Sequence, residues 1–283
     1  MSRRLWAWGR VVGPVVTLAV LVWRLGANPF LDGVRTVDGG ALAAAAALAV
    51  LTTACCAWRW KIVAGGLGVE LSLPAAVAAY YRSLFLNVTL PGGIVGDVHR
   101  GIGHGLRAVV LERFAGQVVQ AVLTVAILLA LPSPVHATMP YVAGGLAAGV
   151  LAVVLVVRPR RSPLLTGRAW LGVALASALV VCGHVVTFLI AARTAGTTAP
   201  PSQMLPIALL VLLVMVLPSI GGWGPREGAA AWAFGAAGLG ASQGVATAVV
   251  YGVMVLVASL PGAVVLVVSW SRTSAWLTAP TPS

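Results

Sequence analysis

Long apolar windows dominate the chain and predict that most of it forms membrane-crossing helices. A helix needs roughly 17 to 25 predominantly apolar residues to cross the hydrocarbon core of a bilayer. Six windows of this kind lie at residues 10–26, 41–58, 109–131, 141–157, 169–192 and 245–270. We therefore expect an all-α polytopic membrane protein with about six crossing helices.

Two further apolar stretches, residues 74–107 and 205–239, are interrupted by glycine and proline. The first break lies in LPGGIVGDVHRG, which begins at Leu90, and the second lies in LPSIGGWGPREG, which begins at Leu217. Proline removes a helix hydrogen bond, and glycine lowers helix stability, so breaks this dense end a straight helix. Each stretch is therefore predicted to form a re-entrant helical hairpin.

The two breaks resemble each other, because each begins with Leu-Pro and contains a glycine pair, an arginine and an acidic residue. Paired interruptions of this kind in the two halves of a membrane chain point to the binding site of a transporter. Three predicted crossings separate the hairpins, and this odd number turns them in opposite directions. The sequence thus predicts an inverted repeat.

The positions of the basic residues predict the orientation of the chain. Cytoplasmic loops of membrane proteins are enriched in Lys and Arg. The residues assigned to cytoplasmic helix ends are Arg3, Arg4, Arg10, Arg59, Lys61, Arg158, Arg160, Arg161, Arg168 and Arg272. This assignment places both termini in the cytoplasm of a multi-pass protein of the inner or plasma membrane, with the first hairpin entering from the cytoplasm and the second from outside.

The composition supports a membrane protein and excludes several other classes. The chain is 60% hydrophobic and only 8% charged, and its mean hydropathy is +1.00. The net charge of +12 lies at the ends of apolar runs, so we expect no nucleic-acid partner. The three cysteines lack metal-ligand spacing, and no catalytic or phosphate-loop motif is present, so we expect no metal and no cofactor. One membrane domain, residues 1–283, is the predicted organisation, and the high Ala, Val, Gly and Arg content is typical of a bacterial chain from a GC-rich genome.

The first break is the densest candidate site. Asp97 and Glu112 are two of only six acidic residues in the chain. A broken helix exposes backbone N–H groups at its positive dipole end, which favours an anion such as phosphate. We expect arginines to bind that phosphate and carboxylates to hold the arginines or to compensate their charge. The predicted phosphate ligands are Arg100, Arg113 and Arg226, and the predicted carboxylates are Asp97, Glu112 and Glu227. The alternative is that these groups are buried ion pairs that only stabilise the fold.

A polar stripe follows the first break. Arg113, Gln117, Gln120 and Thr124 have the spacing i, i+4, i+7 and i+11, which places them on one helix face. The stripe can line a groove for a lipid headgroup or form interhelical hydrogen bonds. A fainter stripe, Ser177, His184 and Thr187, is interpreted as helix packing.

Three segments resemble a known family. LNVTLPGGIVGDVHRG (residues 86–101), VLERFAG (residues 110–116) and LPSIGGWGPREGA (residues 217–229) are similar, in order, to motifs of the lysylphosphatidylglycerol synthase transmembrane, or flippase-like, family. One departure is Val95, where the family has a second glycine before the aspartate. The resemblance assigns site roles to Asn87, Pro91, Gly96, Asp97, Arg100, Glu112, Arg113, Gly222, Gly224, Arg226 and Glu227. The glycine pair Gly92 and Gly93 and the stripe residue Gln117 complete the predicted substrate site.

The resemblance implies that the protein moves a lipid across the membrane. The expected substrate is an anionic phospholipid or a polyprenyl-phosphate-linked lipid, with the headgroup passing between the hairpin tips. The aminoacyl-transferase domain of the fused family members has no counterpart in this sequence, so we expect a transporter rather than an enzyme. The alternatives are a membrane enzyme or accessory subunit in lipid-linked sugar or aminoacyl-lipid metabolism, and a small-solute or ion transporter. Membrane lipids are the expected partners, together with a second copy of the chain or a separate lipid-modifying enzyme.

Overall fold

A computed structural model describes residues 15–90, 95–133, 135–156, 167–217, 219 and 223–277. All regular elements in these ranges are helices. They are α1 (Val15–Leu25), α2 (Asn28–Arg35), α3 (Gly39–Gly66), α4 (Leu73–Thr89), α5 (Val95–His104), α6 (Leu106–Ala130), α7 (Met139–Val156), α8 (Gly167–Thr194), α9 (Pro201–Val214), α10 (Pro225–Ala236), α11 (Ala241–Ser259) and α12 (Pro261–Leu277). A short 3₁₀ turn, His136–Thr138, precedes α7.

Four segments of the described chain are long and apolar enough to cross a membrane. They are α3, α6, α8 and Ala241–Ser269, which joins α11 to the first part of α12. The number rises to five if the bent pair α1 and α2 forms one span. The prediction of an all-helical, multi-pass membrane protein is confirmed, whereas the count of six crossings stays a prediction.

Each predicted break separates two helices that pack against each other. α4 contacts α5, and α9 contacts α10. The approach of α5 to α4 depends on Gly96, because a Cβ atom there would lie 2.1 Å from the backbone oxygen of Ser83. Residues 91–94, 218 and 220–222 lie outside the described residues. The opposite orientation of the two hairpins in the membrane stays a prediction.

The segment between the first two apolar windows is helical, although the apolar pattern predicted no helix there. Residues 28–35 form the helix α2, which is bent by 97° from α1. Gly26, with φ +78°, allows the bend. Gly33 lets α2 lie directly on α11, since a Cβ atom there would be 2.9 Å from the backbone oxygen of Ala246. Pro29 and Gly33 of this helix are buried, and the helix packs against α11.

The second crossing is longer than predicted, and this changes the place of Arg59. α3 continues to Gly66 instead of ending near Trp58. Arg59 is therefore inside the helix, with only 5% of its side chain exposed. The prediction that Arg59 marks a cytoplasmic helix end is wrong, because a carboxylate on another helix compensates its charge and permits its burial.

Helix α8 connects most of the helices that surround the candidate site. It packs against α3, α6, α9 and α11. Its contact with α3 is close at Gly183, where a Cβ atom would lie 2.4 Å from the Thr52 side chain. Polar residues on α8 are consequently held near those of α3, α6 and α11.

Candidate functional site

The carboxylate of Glu112 in α6 is the centre of a buried polar cluster. Arg59 donates from Nε to Oε1 at 2.9 Å, and the Tyr80 hydroxyl donates to the same oxygen at 3.0 Å. Arg100 donates from Nη2 to Oε2 at 3.1 Å. Glu112 is fully buried. A buried carboxylate is tolerated when opposite charges and hydrogen-bond donors satisfy it, as they do here.

Asp97 at the start of α5 joins the same cluster to α4 and α6. Its carboxylate accepts hydrogen bonds from Ser83 Oγ at 3.1 Å and from Arg100 Nη2 at 3.1 Å. Arg113 Nη2 of α6 lies 2.8 Å from it. Arg100 therefore bridges Asp97 and Glu112, and Asp97 bridges Arg100 and Arg113.

Asn87 fixes the start of α5. Its Nδ2 donates to Asp97 Oδ2 at 3.0 Å, and its Oδ1 accepts from the Gly96 backbone N–H at 2.8 Å. One side chain at the end of α4 thus binds both the backbone and the carboxylate in the first turn of α5. This arrangement gives a structural reason for an asparagine ten residues before the aspartate.

Arg100 lies between aromatic rings. Its guanidinium carbon is 4.0 Å from the centroid of Tyr80 and 4.5 Å from that of Trp60. Within the described residues, Nε and Nη1 of Arg100 have no hydrogen-bond partner. The ring faces supply the remaining electrostatic stabilisation of this fully buried cation.

The cluster carries one positive charge in excess. Arg59, Arg100 and Arg113 are three cations, whereas Asp97 and Glu112 are two anions. Arg59 and Arg100 are almost completely buried, at 5% and 0% side-chain exposure. Arg113 is 41% exposed. The excess positive charge is therefore accessible at Arg113.

Arg113 faces a cavity of about 560 Å³. Polar and apolar side chains line it together. The polar ones include Arg59, Asp97, Arg113, Gln117, Gln120 and His184, and the apolar ones include Leu84, Val98, Val109, Val181, Leu212 and Val216. Its size and mixed lining are those of a small-molecule binding site.

A second buried cluster lies at the start of α10. Arg226 donates to Glu227 Oε1 from Nε at 2.9 Å and from Nη2 at 2.5 Å. The Gly224 backbone N–H donates to Glu227 Oε2 at 2.6 Å. The Arg226 guanidinium carbon lies 5.2 Å from the Trp223 ring centroid and 5.7 Å from that of Tyr251. Glu227 thus caps α10 and neutralises the buried Arg226 at the same time.

The two clusters use the same chemistry and meet at α8. In each of them a buried arginine pairs with a buried glutamate and lies beside one tryptophan and one tyrosine. In the first cluster Arg59 Nη1 donates to Ser177 on α8 at 2.9 Å. Near the second cluster the Tyr251 hydroxyl lies 3.1 Å from Nδ1 of His184 on α8. One helix therefore contacts both clusters.

The predicted site residues occupy three kinds of position. Asp97, Arg113 and Gln117 line the cavity. Four others belong to the first cluster but do not line the cavity: Asn87, Gly96, Arg100 and Glu112. The second cluster contains Gly224, Arg226 and Glu227. Pro91, Gly92, Gly93 and Gly222 lie outside the described residues.

Several residues of this region were not predicted as site residues. Arg59, Tyr80, Ser177, His184 and Tyr251 all line the cavity. A signal for Arg59 was present, since residues 60–66, which are apolar except for Lys61, continue the helix by about two turns. The spacing of Ser177 and His184 placed both on one face of α8, but helix packing explained it equally well. Thr187 does donate within its own helix, to the Gly183 carbonyl at 2.8 Å.

Comparison with known families assigns the chain as a whole. The family model described as the lysylphosphatidylglycerol synthase TM region matches residues 6–171 and 158–262. No curated protein matches the chain significantly. The two matched segments include both hairpins and all the helices that form the clusters and the cavity. The chain therefore belongs to the lysylphosphatidylglycerol synthase TM region family, a family of membrane proteins associated with lipid metabolism or translocation.

Proposed function

We propose that this protein translocates a lipid with an anionic headgroup, either a phospholipid or a polyprenyl-phosphate-linked lipid. The observation that carries the proposal is the cavity in which the accessible Arg113 lies beside apolar walls. An ionised side chain within a membrane protein is costly unless it binds a partner or water, so it marks a functional site. A lipid matches both surfaces, because its phosphate binds the arginine and its acyl region contacts the apolar residues.

In this proposal Arg113 is the phosphate ligand. Sequence reasoning gave the same role to Arg100 and Arg226, but both are buried and bound to carboxylates. We therefore assign them supporting roles, in which they hold α5 and α10 in place. Arg59 supports the site in the same way through Glu112.

Asp97 compensates the charge of Arg113 when no lipid is bound. The headgroup phosphate then competes with Asp97 for the same guanidinium group. Asp97 keeps Arg100 as a partner during this exchange, since Arg100 Nη2 lies 3.1 Å away. The substrate therefore enters and leaves without isolating a buried charge.

The alternative is an enzyme or accessory subunit in lipid-linked sugar or aminoacyl-lipid metabolism. A general acid or base must exchange a proton with the substrate. The two carboxylates of the first cluster are each bound by two arginines. This pairing engages both carboxylates in ion pairs and supports binding over proton transfer.

The proposal includes a location and partners. We place the protein in the inner or plasma membrane with both termini in the cytoplasm, on the evidence of the flanking basic residues. Membrane lipids are the proposed partners. A second copy of the chain or a separate lipid-modifying enzyme is the proposed protein partner.

A proteoliposome assay tests the proposal. Fluorescent phosphatidylglycerol and a polyprenyl-phosphate analogue are the substrates, and Arg113→Gln is the informative variant. The matched control is Arg168→Gln, which removes an exposed arginine at the start of α8. We expect Arg113→Gln to slow translocation about tenfold or more, because a hydrogen bond to a charged group contributes about 1.5 to 3 kcal/mol.

Wild type and Arg168→Gln should translocate lipid at the same rate. Equal background rates in all three proteins would contradict the proposal. Formation of a lipid product by the purified chain, lost in Asp97→Asn, would instead favour the enzyme.

A further inference from the structure

We infer that the cavity selects a phosphodiester lipid whose headgroup is neutral and rich in hydroxyl groups, such as a glycerol or a sugar, and rejects a cationic aminoacyl headgroup. The inference rests on the proposed role of the cavity as a headgroup site, and it defines the substrate class of that site. It is not the substrate that the family description suggests, since lysylphosphatidylglycerol carries added positive charge.

The distribution of acidic residues excludes a site for an ammonium group. The whole chain has six acidic residues. Two of them, Glu112 and Glu227, are buried and paired with arginines. Asp32 lies in α2, Asp38 precedes α3, and Glu70 precedes α4. Only Asp97 lines the cavity, and both of its oxygens already accept hydrogen bonds. A lysyl ammonium would therefore meet Arg113 without an available carboxylate, and like charges repel more strongly inside a protein than in bulk water.

The charge of the cluster matches a phosphodiester. The excess is a single positive charge, and a phosphodiester carries a single negative charge. Arg113 uses Nη2 to contact Asp97 and its Nε is buried, whereas its Nη1 has no hydrogen-bond partner within the described residues. The guanidinium group therefore has an unused donor for a phosphate oxygen.

Two uncharged side chains extend the polar surface beyond Arg113. Gln117 and Gln120 lie one and two turns further along the same face of α6, so the polar strip is about 10 Å long. In the described part of the chain neither carboxamide forms a hydrogen bond. Each offers both a donor and an acceptor, which is the combination that hydroxyl groups require. A glycerol or sugar attached to the phosphate would reach these groups.

The apolar part of the lining distinguishes a lipid from a soluble phosphodiester. Val109 on α6, Val181 on α8 and Leu212 on α9 face the same cavity as Arg113. Glycerophosphoglycerol would leave these side chains without a partner, whereas the acyl chains of phosphatidylglycerol would cover them.

The test is a competition experiment on the full-length protein in detergent, read by native mass spectrometry. The probes are phosphatidylglycerol, lysylphosphatidylglycerol and soluble glycerophosphoglycerol. We expect the protein to retain phosphatidylglycerol at least about tenfold more than lysylphosphatidylglycerol, and glycerophosphoglycerol not to displace it. Arg113→Gln should reduce phosphatidylglycerol binding about 10- to 100-fold. Gln120→Glu, which adds a carboxylate to the polar strip, should shift the preference about tenfold towards lysylphosphatidylglycerol.

Two controls keep the result interpretable. Arg168→Gln should bind as wild type does. Arg113→Lys keeps the charge and should keep the preference for the anionic lipid even if Arg113→Gln fails to fold. Equal retention of the two lipids by wild type would overturn the inference, as would an unchanged preference in Gln120→Glu.

The soluble probe and the transport assay separate the other outcomes. Displacement of phosphatidylglycerol by equimolar glycerophosphoglycerol would identify a free phosphodiester as the ligand and overturn the lipid assignment. Selective binding without translocation in proteoliposomes would contradict the proposed function and leave this inference standing. Translocation of both lipids at equal rates would support the proposed function and overturn this inference.

Discussion

Glu112 shows how single residues hold this site together. Its carboxylate accepts hydrogen bonds from Arg59 of α3, Tyr80 of α4 and Arg100 of α5. Four helices, including its own α6, therefore meet at one buried anion. Removing one partner of such a group leaves a buried polar group partly unsatisfied, which costs about 1 to 3 kcal/mol.

Replacing Arg59 by methionine tests this at the residue scale. We expect Arg59→Met to lower the free energy of unfolding by about 1 to 3 kcal/mol, because Glu112 keeps Arg100 as a partner but loses the hydrogen bonds from Arg59. Unfolding in detergent, followed by tryptophan fluorescence, measures the change. Lys61→Met, which removes an exposed cation from the same helix, is the control and should change stability by less than about 0.5 kcal/mol. Similar effects for the two variants would show that the buried pair contributes little.

At the scale of elements, the first hairpin depends on the close contact of α4 with α5. Gly96 lies over the backbone of Ser83. The hydrogen bonds from Ser83 and Asn87 to Asp97 require this distance. The glycine therefore positions the carboxylate that pairs with Arg113.

Gly96→Ala is expected to separate the two helices. The new Cβ atom would lie 2.1 Å from one backbone atom and 2.6 Å from another. We expect a loss of about 1 to 3 kcal/mol of stability and weaker binding of phosphatidylglycerol. Gly103→Ala is the matched control, since Gly103 is in the same helix and a Cβ atom there meets nothing within 4 Å. The control should be neutral or slightly stabilising, and an equal loss in both variants would show that only helix propensity is at work.

At the scale of the whole molecule, the two halves repeat one design. Each half has a broken helical hairpin and a buried arginine that pairs with a glutamate and lies beside a tryptophan and a tyrosine. Helix α8 contacts both clusters through Ser177 and His184. An inverted arrangement of these halves would give one cavity access to both membrane faces in turn.

Labelling of single cysteines in intact cells tests that arrangement. In a background without Cys55, Cys56 and Cys182, the exposed positions Ser72 and Ser202 precede the two hairpins. We expect Ser72→Cys to react only with a membrane-permeant reagent and Ser202→Cys to react also with an impermeant one. Labelling of both from the same side would refute the inverted repeat, and the cysteine-free parent controls for background.

The sequence alone determined the elements and their kind. Apolar length and the Gly/Pro breaks depend only on local composition, so they predicted helices at α3, α6 and α8 and helix breaks between α4 and α5 and between α9 and α10. The motif containing Asn87, Asp97 and Arg100 identified most of the first cluster. The apolar windows missed α2, which packs against α11, and the end of α3, where Arg59 pairs with Glu112.

Only the tertiary structure decided which charged groups are accessible. Arg59 and Arg113 look alike in the sequence, yet one is buried against Glu112 and the side chain of the other is 41% exposed. Arg59 finds its partners 53 and 118 residues away in the chain. Compensation of a buried charge depends on contacts at such separations, whereas helix formation depends on neighbours within a few residues. The helices were therefore readable from the sequence, and the accessibility of Arg113, which defines the candidate site, was not.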